Sequence, residues 1–136
     1  MNKELENKII TNYPNLFVDY SDDPYESCLT WGLVVDDGWY QIIDRLCESI
    51  EHYLKNNPKV DKVVIIQVKE KFGTLRFYYS GGDEFIRGMV CMTELMSSKI
   101  CEKCGTNQNV ELISDKGWLT TSCTECLINK EDQDAD

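Results

Sequence analysis

Cys101–Cys126 reads CEKCGTNQNVELISDKGWLTTSCTEC. It holds two C-x-x-C pairs, Cys101/Cys104 and Cys123/Cys126, with residues 105–122 between them. Pairs at this separation are a zinc signature. Two residues between ligands form a tight turn from which both sulfurs reach one ion, while the turn's N–H groups point at the thiolates. Gly105 follows the first pair, where such a turn often requires a positive φ. The ion then needs two more sulfurs to complete a tetrahedron at about 2.3 Å. The intervening segment is long enough for a small hairpin that brings the second pair back. The reading is a structural Zn2+ held by Cys101, Cys104, Cys123 and Cys126, with iron as the main competitor because four thiolates also hold it. A redox role would need only one such pair.

Four sulfurs fill the coordination shell and leave no position for water or substrate, so the site is expected to fasten the fold rather than to catalyse. The metal would organise about 30 residues that otherwise lack a core. Trp118 is expected to pack beside it. The second pair runs into LINK (127–130), a short helix that would make the module treble-clef-like; without that helix it is a zinc ribbon. The tail NKEDQDAD (129–136) is charged and aperiodic and reads as disordered.

Working back from the cysteines, residues 80–100 have a helical period. Phe85, Met89, Met92 and Met96 form a stripe, and Ser80 with Asp83 suggests a capping box. Residues 60–82, VDKVVIIQVKEKFGTLRFYYSGG, alternate as strands do. Val64, Ile66 and Val68 alternate with Ile65, Gln67 and Lys69, and Leu75, Phe77 and Tyr79 with Thr74, Arg76 and Tyr78. A turn near Glu70–Gly73 makes this a β-hairpin over about 62–80. One face is buried; the other shows Lys69, Lys71, Arg76 and Tyr78.

Residues 36–58, DDGWYQIIDRLCESIEHYLKNNP, are the clearest helix. Trp39, Ile42, Ile43, Leu46, Ile50 and Leu54 recur at spacings of three and four, and Asp36 or Asp37 would cap the start. CLTWGLVV (28–35) reads as a strand and DYSDDP (19–24) as a loop. Residues 2–12 read as a short helix, ended by Pro14, that covers the sheet or mediates self-association. The expected fold is α+β: a short antiparallel sheet packed by two helices in residues 1–98, a four-cysteine zinc module in 99–128, and a disordered acidic tail in 129–136.

The net charge of -10 opposes one functional class. Four thiolates on a dication would add about two more negative charges. Such a chain is repelled by bare phosphate backbones, which argues against nucleic-acid binding by the cation-poor metal module. No apolar run is long enough to span a membrane, and MNKELENKII lacks the apolar core of a secretory signal. The expected compartment is the cytosol, where cysteine pairs serve metals more often than disulfides.

The remaining chemistry is sparse. His52, late on the long helix, reads as a solvent-side residue. Cys28, Cys47 and Cys91 lie in apolar settings and read as small buried hydrophobes. Gln67-Val68-Lys69 has the strand pattern of some metal-dependent nucleases, but Asp61 is poorly placed as the acidic ligand. No nucleophile elbow, phosphate loop or dinucleotide fingerprint is present. These features point away from an enzyme without excluding one. Lys69, Lys71, Arg76 and Tyr78 stand out in an acidic chain, since an arginine fork with lysines and a stacking aromatic holds phosphates and bases. An ordinary solvated sheet face, with Glu70 inside it, is the plainer alternative.

Taken together, DDGWYQIIDRLCESIE, VKEKFGTLRFYYSGG, CEKCG and GWLTTSCTEC resemble a widespread set of small uncharacterised proteins of bacteriophages and prophages, over about Asp36 to Cys126. Related sequences often end the metal site with a histidine, where this chain has Cys126. The resemblance implies phage or prophage origin and action in the host cytosol; it supplies no catalytic residues. The expectation is a zinc-stabilised binding protein that occupies or sequesters a host factor, with a possible counter-defence role. That factor is either a protein or a small anionic, nucleotide-like ligand. A nucleic-acid-binding zinc protein and a metal-dependent nuclease are the alternatives, and a homo-oligomer fits any of them.

Overall fold

A computed structural model describes residues 1–18, 20, 29 and 32–134. The expected loop 19–24 lies outside these residues apart from Tyr20, as do Cys28 and most of the first half of the expected strand 28–35. The architecture is α+β, with four α-helices and two small antiparallel sheets among the described residues.

α1 spans Lys3–Asn12 and α2 Tyr40–Asn56; β1 spans Val64–Lys71, β2 Thr74–Ser80 and α3 Glu84–Ser97. β1 and β2 pair antiparallel as the alternation predicts, joined at Phe72-Gly73, both at positive φ, which is the backbone a two-residue hairpin turn needs. The alternation does not run unbroken. A β-bulge between Ile65 and Gln67 switches the face, so Ile65 and Val68 are buried while Ile66 turns outward. With Leu75 and Phe77 from β2, these residues meet Ile43, Leu46, Cys47 and Ile50 of α2 and Ile86 and Val90 of α3 in one core.

Both outer edges of the hairpin are occupied. Val34 adds a single parallel rung to β1, its N–H donating to the Val68 carbonyl (3.0 Å) and its carbonyl accepting from Glu70 (3.1 Å). This rung is all that forms of the expected strand among its described residues, because Gly32 at φ 75 turns the chain away. On the β2 edge no strand is needed. Ser97 Oγ accepts the Leu75 N–H and Glu94 Oε2 accepts that of Phe77, both at 3.0 Å, so α3 side chains take the place of a neighbouring strand. α1 packs on the 32–35 segment, where the buried Glu6 carboxylate accepts the Leu33 N–H at 2.6 Å.

Several local expectations change. Neither Asp36 nor Asp37 caps α2 with its side chain. A 3-10 turn, Asp37–Trp39, leads in instead, while Asp37 receives two hydrogen bonds from Asn2 and Asp36 pairs with Lys103 at 3.3 Å. Asp83 itself caps α3 by accepting the Ile86 N–H, with no capping box from Ser80. The methionine stripe lies on the helix that its period predicts, beside the buried face: Ile86, Val90 and Ser97 point inward, Met89 is half-buried against the core, and Phe85, Met92 and Met96 point outward. Cys47 is fully buried, as expected, but Cys91 is exposed.

The C-terminal module follows a knuckle–hairpin–helix order. Residues 101–105 turn tightly; β3 (Val110–Asp115) and β4 (Trp118–Cys123) pair through Lys116-Gly117; α4 covers Thr124–Asp134. This is the treble-clef order, with the helix that a ribbon lacks. The helix also replaces the expected disordered tail as far as Asp134. It starts on the second cysteine pair and continues in register through residues whose charges alone had suggested disorder.

Candidate metal centre

The four sulfurs of Cys101, Cys104, Cys123 and Cys126 all lie within 4.8 Å of one another. Cys104 and Cys123 Sγ are 3.7 Å apart. Sulfurs at about 2.3 Å from a tetrahedral ion are separated by roughly 3.8 Å, so the donor set fits a four-thiolate metal. Two ligands come from the knuckle, one from the end of β4 and one from the first turn of α4. Among the described residues this is the group of His, Cys, Asp or Glu side chains that converges closely enough to hold an ion.

The backbone favours thiolates here. The Cys126 N–H donates to Cys123 Sγ at 3.4 Å, and Gly105, at φ 83, closes the knuckle by donating to the Cys101 carbonyl at 2.9 Å. Burial works against the Cys101 thiolate, but N–H groups of Cys104, Cys123 and Lys103 aimed at its sulfur outweigh it and bring that thiol down to about 6. Burial and then the neighbouring sulfurs push Cys126 the other way. Four sulfurs this close cannot all ionise unless a cation balances them, so the cluster suits a dication better than free thiols.

The module is fitted to the body through backbone contacts. Gly38 N–H donates to the Glu102 carbonyl at 2.7 Å, the Asp36 N–H to Glu102 Oε2 at 3.0 Å, and Trp39 Nε1–H to the Ile100 carbonyl at 2.9 Å. Burial pushes the Glu102 carboxyl up to about 7, against the Asp36 N–H. At the other end, the tip of the β1–β2 hairpin rests on β3–β4. Thr121 Oγ1 donates to the Gly73 carbonyl, and a Cβ at Gly73 would strike Leu112 Cδ1 at 2.3 Å. Trp118 is not part of the small core beside the sulfurs; it stands 68% exposed at the strand start next to the hairpin turn.

The second group of candidate residues is also brought together. Lys69 lies directly opposite Arg76, and Lys71 opposite Thr74. Lys69 Nζ sits 5.7 Å above the centre of the Tyr78 ring, within cation–π range, and Lys71 Nζ lies 5.5 Å from that of Phe72. Arg76 Nε is buried and meets no acceptor among the described residues. Glu70 faces away from this group and accepts the Gly73 N–H at 2.9 Å. His52 is exposed beside Asn56, on the solvent side as expected, and Asp61 precedes β1 in irregular chain and, among the described residues, joins no metal-binding group. The docking role of Gly38, Gly73 and Thr121 escaped sequence reasoning, although glycines inside two strongly patterned segments were the available signal.

No protein-family model, curated protein or solved structure matches the chain. No helix among the described residues is long and apolar enough to cross a membrane.

Proposed function

We propose that this chain is a zinc-stabilised, non-enzymatic binding protein of phage or prophage type whose recognition surface is the Lys69/Arg76 face of the hairpin. The observation that carries this reading is Arg76, whose guanidinium shares one face with Lys69 and Tyr78 while its Nε, among the described residues, lacks an acceptor. A phosphate or carboxylate oxygen arriving on this face would meet the Lys69 ammonium, the outer nitrogens of the Arg76 fork and the Tyr78 ring together. The ligand is an anionic group, presented either by a host protein or by a small nucleotide-like molecule that the chain sequesters in the cytosol.

Zinc suits the centre better than iron because a closed structural site needs no redox chemistry, and four thiolates leave no open position. Bound there, the metal supplies folding energy. Cys101 and Cys104 hold the knuckle on Gly38, and Cys123 and Cys126 hold β4 and α4. The hairpin is thereby gripped at its Gly73 tip, and its cationic face is held in one geometry. The net charge of -10 speaks against a nucleic-acid backbone as the partner.

The test is mass spectrometry of the nucleotides and polypeptides that co-purify with the chain from host cells, beside Arg76→Ala. The reading expects a cargo that Arg76→Ala loses while keeping its fold and metal. A cargo retained unchanged by Arg76→Ala would remove this face from consideration.

A further inference from the structure

α3 is amphipathic in the wrong sense for a buried helix: its inward face is short and its outward face is greasy. Phe85 is 58%, Met92 59% and Leu95 69% exposed. With Gly88 they fall at spacings of three, four and three, the seam of a helix that packs on another helix. Between this seam and α2 runs an open groove of about 650 Å³, floored by Ile42, Leu46 and Met89. Apolar patches of this continuity on a soluble chain mark a contact surface.

The seam is complementary to itself. A Cβ at Gly88 would meet nothing within 4 Å, so this position is a hole, and Leu95 on the same seam is a knob. Turned antiparallel about Met92, one helix sets its Leu95 near the Gly88 of the other. The ends match in charge as well. Glu84, which also reaches Arg87 at 3.6 Å, is the first residue of α3, and Lys99 lies in the turn two residues past its last, Ser97, so opposite charges flank the seam at its two ends. An antiparallel mate therefore brings each Glu84 to the level of the other's Lys99. Two chains of net charge -10 repel over most of their surface, and this largely uncharged strip is where they can approach.

We infer that the chain forms a two-fold homodimer in which α3 packs antiparallel on α3 of a second copy, with Met92 at the axis and Glu84 paired with Lys99 across it. The contact is isologous, so it closes at two copies. It is small for a stable interface, so its dissociation is read at micromolar concentrations. It does not depend on the anion-binding reading.

The experiment is sedimentation equilibrium of the full metal-loaded chain across the micromolar range, beside Met92→Glu, Glu84→Lys, Lys99→Glu and the double swap. The wild type is expected to reach twice the monomer mass. Met92→Glu sets two carboxylates against each other at the axis and leaves a monomer. Each single charge swap loosens the dimer at least several-fold, and the double swap restores it. Met92, Glu84 and Lys99 are all exposed, so far-ultraviolet dichroism and metal content should stay unchanged. A wild type that remains monomeric, a dimer indifferent to Met92→Glu, or a double swap no tighter than the single ones would each overturn the proposal. A groove that fills only with a different polypeptide would do the same.

Discussion

Gly38 donates its amide to the Glu102 carbonyl, and the Cβ it lacks would sit 2.2 Å from the Cys101 carbonyl oxygen. The knuckle of the metal centre thus lies directly on the turn that starts α2. The clash is with backbone, which no rotamer change relieves. Gly38→Ala should therefore lift the knuckle and break the Trp39–Ile100 hydrogen bond beside it. The expected cost is about 2 kcal/mol or more, with weaker metal retention against a competing chelator. A variant with an unchanged urea midpoint and unchanged retention would show that the knuckle is not seated there.

Removing the metal should separate the two halves of the molecule. The body has its own core, from Ile9 to Val90, which includes none of the four ligands. The β3–β4 hairpin has little apolar support, and structural zinc contributes about 10–16 kcal/mol to zinc-finger peptides. Elemental analysis should find one metal per chain. After chelation, amide exchange should become fast over residues 101–123 and stay slow in α2. Slow exchange persisting in β3–β4 would contradict the fastening role.

What the sequence disclosed follows from how local each signal is. The helix of Tyr40–Asn56, the hairpin and the cysteine pairs are local patterns, and the structure reproduces them. The bulge at Ile65/Gln67 was not legible, because shifting the face by one residue leaves the hydrophobic count unchanged. The methionine stripe of α3 was enough to place the helix but not its buried side, because a helical stripe reports a contact face without saying whether the partner belongs to the same chain. DDGW and KEKFG could be read only as a helix start and a turn. In three dimensions their glycines, Gly38 and Gly73, are where the metal module touches down, a relation between distant segments that periodicity cannot carry.

The α2–α3 pairing makes a prediction about pH. Tyr53 Oη–H donates to Asp83 Oδ2 at 2.6 Å, and the same carboxylate caps α3. The Tyr53 hydroxyl, aided by the helix N–H groups, holds the Asp83 carboxyl below its usual value of 3.8. A depressed carboxylate contributes stability above its unfolded pKa and loses it as pH falls through the lower folded value. Tyr53→Phe removes the largest of these influences, so the Asp83 titration should move up and the acid limb of the stability curve should steepen less. Carboxyl carbon shifts of Asp83 would report this, and superimposable titrations in the two proteins would refute it.

Ser97 tests the way β2 is held. Its hydroxyl donates to the Glu94 carbonyl at 2.6 Å and accepts the buried Leu75 N–H at 3.0 Å, and the residue is completely buried. Ser97→Ala leaves that N–H without a partner where water cannot reach, at a cost of about 1–3 kcal/mol. Ser98→Ala, whose hydroxyl bonds the Leu95 carbonyl within its own helix, should stay within about 0.5 kcal/mol of wild type. Arg76 lies between Leu75 and Phe77, the two residues that α3 holds by their amides. Loosening that edge should therefore disturb the cationic face as well as the fold. The Leu75 and Arg76 amides should exchange faster in Ser97→Ala than in Ser98→Ala, and equal rates in the two variants would mean that α3 does not secure this edge.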